Sequence, residues 1–223
     1  TEHVQEVGGK NIVYLSAVDW GYRRQRPQHM ARALGAAGCN VFYVSTVFDQ
    51  TGDGSGFSDF RDLADNVSEV RLRIRADGGA SIHYAMAADA VADAGAALAK
   101  LCQRIGPKPF IVIDHPAWFP ICEAMIGSAT IIYDCIDEIS ALPGTRPEVI
   151  EAERRLLSAA DIVLASSTAL LEKIPESRGA RLVPNGVDTA HFAQVAERVP
   201  AEPGVRVLYF GMIADWFNSA WID

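Results

Sequence analysis

At 223 residues with 49% hydrophobic side chains, the chain suits one large α/β domain, or one domain and the start of another. A net charge of −8 argues against a nucleic-acid surface while leaving room for a local basic patch. Cys39, Cys102, Cys122 and Cys135 form no Cys-x-x-Cys pair, so no zinc or dithiol motif is suggested, and they are expected as small buried residues in a reducing compartment.

Thr1–Lys10 is polar and has no apolar segment of the kind a secretory leader needs. Asn11–Ala17 then reads as a strand, and Pro27–Ala37 as a helix with proline in its first turn and Gly38 at its close. Between them lies the most unusual stretch of the chain, Val18 to His29, with Asp19, Trp20, Gly21, Arg23, Arg24 and Arg26 crowded where a strand ends and a helix begins. A helix N-terminus already carries partial positive charge, so three arginines there call for an anion nearby.

Asn40–Ser45 is the next strand, and Asp49–Asp59, rich in Gly, Ser and Asp, is expected as a mobile loop. Val67–Ile74 alternates apolar and charged residues, as a half-exposed strand near a sheet edge does. Tyr84–Ile105 reads as a long helix with Ala94, Leu98, Leu101 and Ile105 inward and Asp89, Asp93, Lys100 and Arg104 in water; its apolar part, Ala85–Leu101, is too short and too charged to span a membrane. Strands follow at Phe110–Ile113 and Thr130–Tyr133. Thr145-Arg146-Pro147-Glu148 resembles a capping box opening a helix to Ala159, with Val149, Ala152, Leu156 and Ala160 inward and a Glu151–Arg155 pair outside.

Ile162–Ala165, Leu182–Val183 and Val205–Phe210 complete eight strand candidates. Strands alternating with helices predict an α/β fold, a Rossmann-like parallel sheet with helices on both faces. Residues 1–197 are expected to form one domain, 198–204 a linker, and 205–223 the start of a second domain. The chain begins without Met and stops at Trp221-Ile222-Asp223, soon after a new strand, which is expected of a piece of something longer.

In open parallel sheets ligands bind beyond the carboxyl ends of the strands. There the sequence collects Asp19, Trp20, Gly21 and the arginines; then Asp114, His115 and Trp118; then Asp134, Asp137 and Glu138; and Asn185 with Gly186. Aromatic faces, an imidazole and carboxylates suit a sugar or phosphosugar. A dinucleotide is disfavoured, since no Gly-x-Gly-x-x-Gly or Walker sequence follows the first strand. For the arginines the alternative is internal pairing with Asp134, Asp137 or Glu138, and for Trp20 and Trp118 it is core packing.

Asp19-Trp20 with Arg24-Gln25-Arg26-Pro27-Gln28-His29, Tyr133-Asp134-Cys135-Ile136-Asp137-Glu138, Ala160-Asp161-Ile162-Val163 with Ser166-Ser167, and Val183-Pro184-Asn185-Gly186-Val187-Asp188 together carry a resemblance. From about Ile12 to Trp216 the chain resembles the N-terminal half of bacterial GT-B glycosyltransferases, most closely the retaining family-four enzymes of teichuronic acid and other surface-polysaccharide synthesis. The resemblance implies the acceptor-side domain of a two-domain transferase, with a nucleotide-diphosphate sugar as donor, a glycan or lipid-linked acceptor, and no metal or other cofactor. With neither a leader nor a membrane span read in the sequence, a cytoplasmic location is expected, and for such enzymes peripheral contact at the membrane's cytoplasmic face is left open.

His115 is the candidate catalytic residue. Asp19, Trp20, Gly21, Arg24, Arg26, Trp118, Asp137, Glu138, Asn185 and Gly186 are the candidate substrate-binding set. The chain departs from the family in having Trp20-Gly21 where many relatives carry a glycine pair, and in ending before the donor domain. Another GT-B enzyme, such as a nucleotide-sugar epimerase, and a non-catalytic glycan- or partner-binding module are the alternatives.

Overall fold

A computed structural model describes residues 8–52, 54, 56–75, 81–193, 208, 209, 217, 218 and 220. The chain divides into two compact units, Thr1–Gly186 and Val187–Asp223.

The first unit is built on β1 (Asn11–Leu15), whose Val13, Tyr14 and Leu15 are fully buried. A strand covered on both faces has no reason to alternate polar and apolar residues, hence the run Ile12-Val13-Tyr14-Leu15. β1 lies parallel between β2 (Asn40–Val44) and β7 (Phe110–Ile113). Beyond β2 come β5 (Val67–Val70) and β4 (Arg61–Ala64). Beyond β7 come β8 (Thr130–Cys135), β9 (Ile162–Ala165) and β10 (Arg181–Leu182). Every pairing in this eight-stranded sheet is parallel except β4 with β5. The fold is α/β, Rossmann-like and mostly parallel, as expected.

Alternate residues of the central strands feed two cores. Val13, Leu15, Ile111, Ile113, Ile131 and Tyr133 face α2 (Ala88–Ile105), α3 (Phe119–Cys122), α4 (Pro147–Ala159) and α5 (Thr168–Lys173). Ile12, Tyr14, Val41, Tyr43 and Val112 face α1 (Arg26–Ala36). Both faces of the sheet thus carry helices. Small residues set the close contacts. A Cβ on Gly95 of α2 would stand 3.1 Å from the Ile121 carbonyl oxygen, and one on Gly35 of α1 would stand 2.4 Å from that of Asp65. The four cysteines are buried.

Several expectations are corrected. Val67–Ile74 does begin near a sheet edge, next to the edge strand β4, but it is mostly buried and is not one strand. It divides into β5, which pairs on both sides, and β6 (Arg73–Ile74), which joins β3 (Asp49–Gln50) in a separate two-stranded sheet. The Asp49–Asp59 stretch therefore holds a short strand. In α4 the N-cap is Arg146 and not Thr145, without a side-chain cap. Arg154 rather than Arg155 pairs with Glu151, while Arg155 reaches Glu123 at 2.7 Å. Asp93 of α2 does not simply face water but takes a bidentate pair from Arg75.

In the second unit the described residues include α6 (Thr189–Phe192), whose His191 amide donates to the Asp188 carboxylate at 3.1 Å. The expected link at 198–204 and nearly all of the expected strand at 205–210 lie outside the described residues. No described helix is long and apolar enough to cross a membrane.

Candidate functional site

The chain leaves β1 toward β2 and later returns to β7 on β1's other side. The carboxyl ends of β1 and β7 therefore part, and their loops flank the crevice where open α/β sheets bind ligands.

The loop after β1 is held by its own polar groups. The Asp19 carboxylate accepts from Ser45 Oγ (2.7 Å), the Thr46 amide (2.9 Å) and Thr46 Oγ1 (2.9 Å), tying the loop to the exit of β2. Gln28 is 2% exposed and organises the turn. It accepts from the Gln25 amide (2.9 Å) and donates to the carbonyls of Arg23 (2.8 Å) and Asp19 (3.2 Å). A glutamine in the third position of a helix, reaching back to the amide just before it, is half of a capping box. That signal was present in Gln25-Arg26-Pro27-Gln28, and sequence reasoning missed it. Trp20 stands edge-on to Tyr43 at 5.2 Å, and the Arg32 guanidinium lies 4.8 Å from its ring centre. Gly21 and Arg24 are exposed.

Arg26 turns inward. Nε and Nη2 each donate to Asp134 at 2.8 Å, and Nη1 reaches Asn185 Oδ1 at 3.2 Å. The two charged side chains are 7% and 0% exposed. A bidentate arginine–carboxylate pair is strong in such surroundings, and neither charge can be removed singly without stranding the other. The anion that the arginine-rich turn calls for is thus supplied, for Arg26, by the protein's own Asp134.

Other predicted residues disperse. Trp118 is fully buried, and its indole N–H donates to the Ser16 carbonyl at 2.7 Å. This corrects its placing among the substrate-binding residues, because no ring face remains open to a ligand. Asp137 is exposed. Glu138 pairs with Lys173 and accepts from Ser140 Oγ at 2.7 Å, which holds its carboxyl below the usual range. Asn185 is engaged by Arg26, and Gly186 is exposed.

His115 behaves differently. It directly follows β7 and Asp114, and its Nδ1 accepts from the Ala117 amide at 3.2 Å, capping a single 3-10 turn at Pro116–Trp118. Its ring forms one wall of a hollow of about 200 Å³ shared with Ile82, His83, Leu142, Gly144 and Arg146. Burial, with His83 and Arg146 adding to it, pushes the imidazole down to about 4, so it is neutral at physiological pH. Asp114 beside it is 1% exposed and neither carboxylate oxygen has a hydrogen-bond partner of good geometry. Burial and the Asp134 charge push its pKa well up, which favours the protonated form.

The hollow at His115 is lined from the segments around residues 82–83 and 142–149, whereas the Arg26 guanidinium of the loop after β1 is spent on Asp134. A larger groove of about 660 Å³ runs along the β4–β5 turn, at the amino ends of the strands and away from these groups. Among the described residues no three His, Cys, Asp or Glu side chains are grouped to hold a metal ion.

The class so defined is a parallel α/β domain with an imidazole-walled hollow at its carboxyl-end crevice. No protein-family profile matches the chain, and no curated protein sequence does. Among solved structures it is similar to a UDP-forming α,α-trehalose-phosphate synthase from Burkholderia xenovorans, with 12% identity and a TM-score of 0.43 over 80% of this chain and 48% of that one. The chain spans about half the length of that neighbour.

Proposed function

We propose that this chain is the acceptor-side domain of a retaining glycosyltransferase, which moves a sugar from a nucleotide-diphosphate donor to a hydroxyl of a glycan or lipid-linked acceptor in surface-polysaccharide assembly. The observation that carries the reading is His115. A neutral imidazole directly after a central strand, with one nitrogen occupied by a backbone amide, walls an open hollow. The motif resemblance supports the same reading.

In the proposed reaction the bond from the anomeric carbon to the donor phosphate breaks through an oxocarbenium-like transition state. The acceptor oxygen forms the new bond on the same face, and the departing phosphate takes the acceptor's proton. This half therefore needs no base of its own. Its task is to hold a sugar hydroxyl with the Nε2–H of His115 and to shield the reacting carbon from water. Asp19 and Gln28 keep the loop after β1 in place, while Arg24, Gly21 and the exposed Asn185–Gly186 turn are the remaining candidates for ligand contact. A cytoplasmic site of action, peripheral to the membrane where the acceptor is lipid-linked, goes with such a donor and acceptor.

The test offers the intact protein a panel of nucleoside-diphosphate sugars, with and without glycan acceptors, and measures nucleoside diphosphate release. Acceptor-dependent release that falls about 100-fold in His115→Ala supports the reading. Unchanged turnover in that variant removes His115 from the reaction, and donor turnover with no acceptor favours an epimerase.

A further inference from the structure

A second imidazole stands at the same hollow, and sequence reasoning gave it no role. His83 is exposed, on a segment pinned to the exit of β2. Ile82 beneath it is 1% exposed and its amide donates to the Thr46 carbonyl at 3.2 Å, while the His83 amide meets Ser81 Oγ at 3.3 Å. The His83 ring meets His115 edge-to-face, with centres 5.7 Å apart, and both line the hollow.

A backbone partner assigns the proton of His115. His115 Nδ1 accepts from the Ala117 amide, so in the neutral ring Nε2 carries the hydrogen and is a donor. A neutral His83 ring carries one N–H and one lone pair, so beside His115 it can accept from a hydroxyl.

We propose that His83 and His115 form a two-imidazole site for neighbouring hydroxyl groups of an uncharged sugar ring, His115 donating to one oxygen and His83 accepting from the other. This rests on the reading of His115 as a sugar ligand and names the ligand chemistry of that hollow. A donor beside an acceptor matches a diol, whose hydroxyls each give and take one hydrogen bond. A phosphate brings negative charge and mostly acceptor oxygens, which two neutral imidazoles do not balance. Desolvation, partial at the exposed His83, lowers both imidazoles and so disfavours the positive charge a phosphate would want. Arg146, the cation of the hollow, is already turned toward the Ile82 carbonyl (3.5 Å) and Glu148 (3.6 Å).

Imidazole ¹⁵N spectra of the whole chain test this, with methyl α-D-glucopyranoside and inorganic phosphate as probes. Before any addition His115 is expected to show an unprotonated Nδ1 and a protonated Nε2. The glycoside should shift ring nitrogens of both histidines, and phosphate should shift neither. His83→Ala should weaken glycoside binding by about 10-fold, while His83→Asn, which keeps an acceptor, should lose about 3-fold. A glycoside that moves His115 alone, or neither ring, overturns the proposal. So does phosphate that moves both, which would mark an anion site.

The two readings can fail separately. Glycoside shifts on both rings in a protein that turns over no nucleotide sugar uphold this inference and sink the transferase. His115-dependent turnover with a silent His83 does the reverse.

Discussion

Two polar regions stand at the carboxyl ends of the same sheet, and they differ in what has been done with their charge. At the start of α1, Arg26 is locked to Asp134 in a bidentate pair with almost no exposure, and its remaining nitrogen reaches the exposed Asn185. Beyond β7, His115 has given one nitrogen to the backbone and keeps the other edge of its ring for an open hollow. The comparison teaches that conspicuous charge at a crevice can be structural cement, while a quiet, neutral ring is what is left available for a ligand. In a parallel sheet both outcomes follow from one cause, the end-on exposure of strand termini. There polar groups find partners in neighbouring loops or remain open for something else.

The sharpest way to break the contrast is at Arg26. Arg26→Ala should cost about 3–5 kcal/mol in chemical denaturation, because Asp134 is then buried without a counter-charge. Arg26→Met with Asp134→Leu should recover most of that loss. Were Arg26→Ala to leave stability unchanged, the cement would be misassigned and the guanidinium would be free for a ligand after all.

The hollow is probed through acid. The folded His115 pKa of about 4 lies below its ordinary value of 6.5, so the unfolded chain binds a proton that the folded one refuses between those values. Stability therefore falls as pH drops from 6.5 toward 4, by about 3 kcal/mol from this group. His115→Gln should flatten that part of the profile in urea melts taken at pH 7 and pH 4.5.

The smallest effect is expected between the two regions, at Asp114. Its raised pKa means that the folded state holds a proton the unfolded state has lost above pH 4, so its burden grows as pH rises. Asp114→Asn should stabilise the protein at pH 7 by about 1–2 kcal/mol, with the gain vanishing below pH 4. A destabilised variant would show that the ionised carboxylate is needed where it stands.

Much of this architecture is visible in the residues themselves. β1, β2 and β7 are nearly unbroken apolar runs because both sheet faces bury them, and α1 and α4 declare themselves by a proline in the first turn and apolar spacing thereafter. β4 escaped notice because an edge strand needs little apolar surface: Arg61 and Asp62 are exposed, and its turn relies on Asn66 at a positive φ of 56°. The site was less legible than the fold. Nothing local in the sequence says that Arg26 will lie against Asp134, 108 positions later; only the strand order brings the N-terminus of α1 over β8. His83 sits in a loop with no periodicity, anchored by one buried isoleucine, so no pattern marks it. Trp118 looked open because it follows a strand end, but its indole finds the Ser16 carbonyl and turns the ring inward.

The absent side chain at Gly35 has a mechanical consequence. The last turns of α1 are pressed so closely onto the backbone of the β4–β5 hairpin that even a methyl group would collide, and Asn66 Nδ2 bonds the Gly35 carbonyl at 3.1 Å. One end of a rigid rod about 16 Å long is therefore clamped. The opposite end, where Arg26 reaches down to β8, inherits its height from that clamp. The hairpin at the rim of the sheet thus acts as a spacer for a contact made near the sheet's middle.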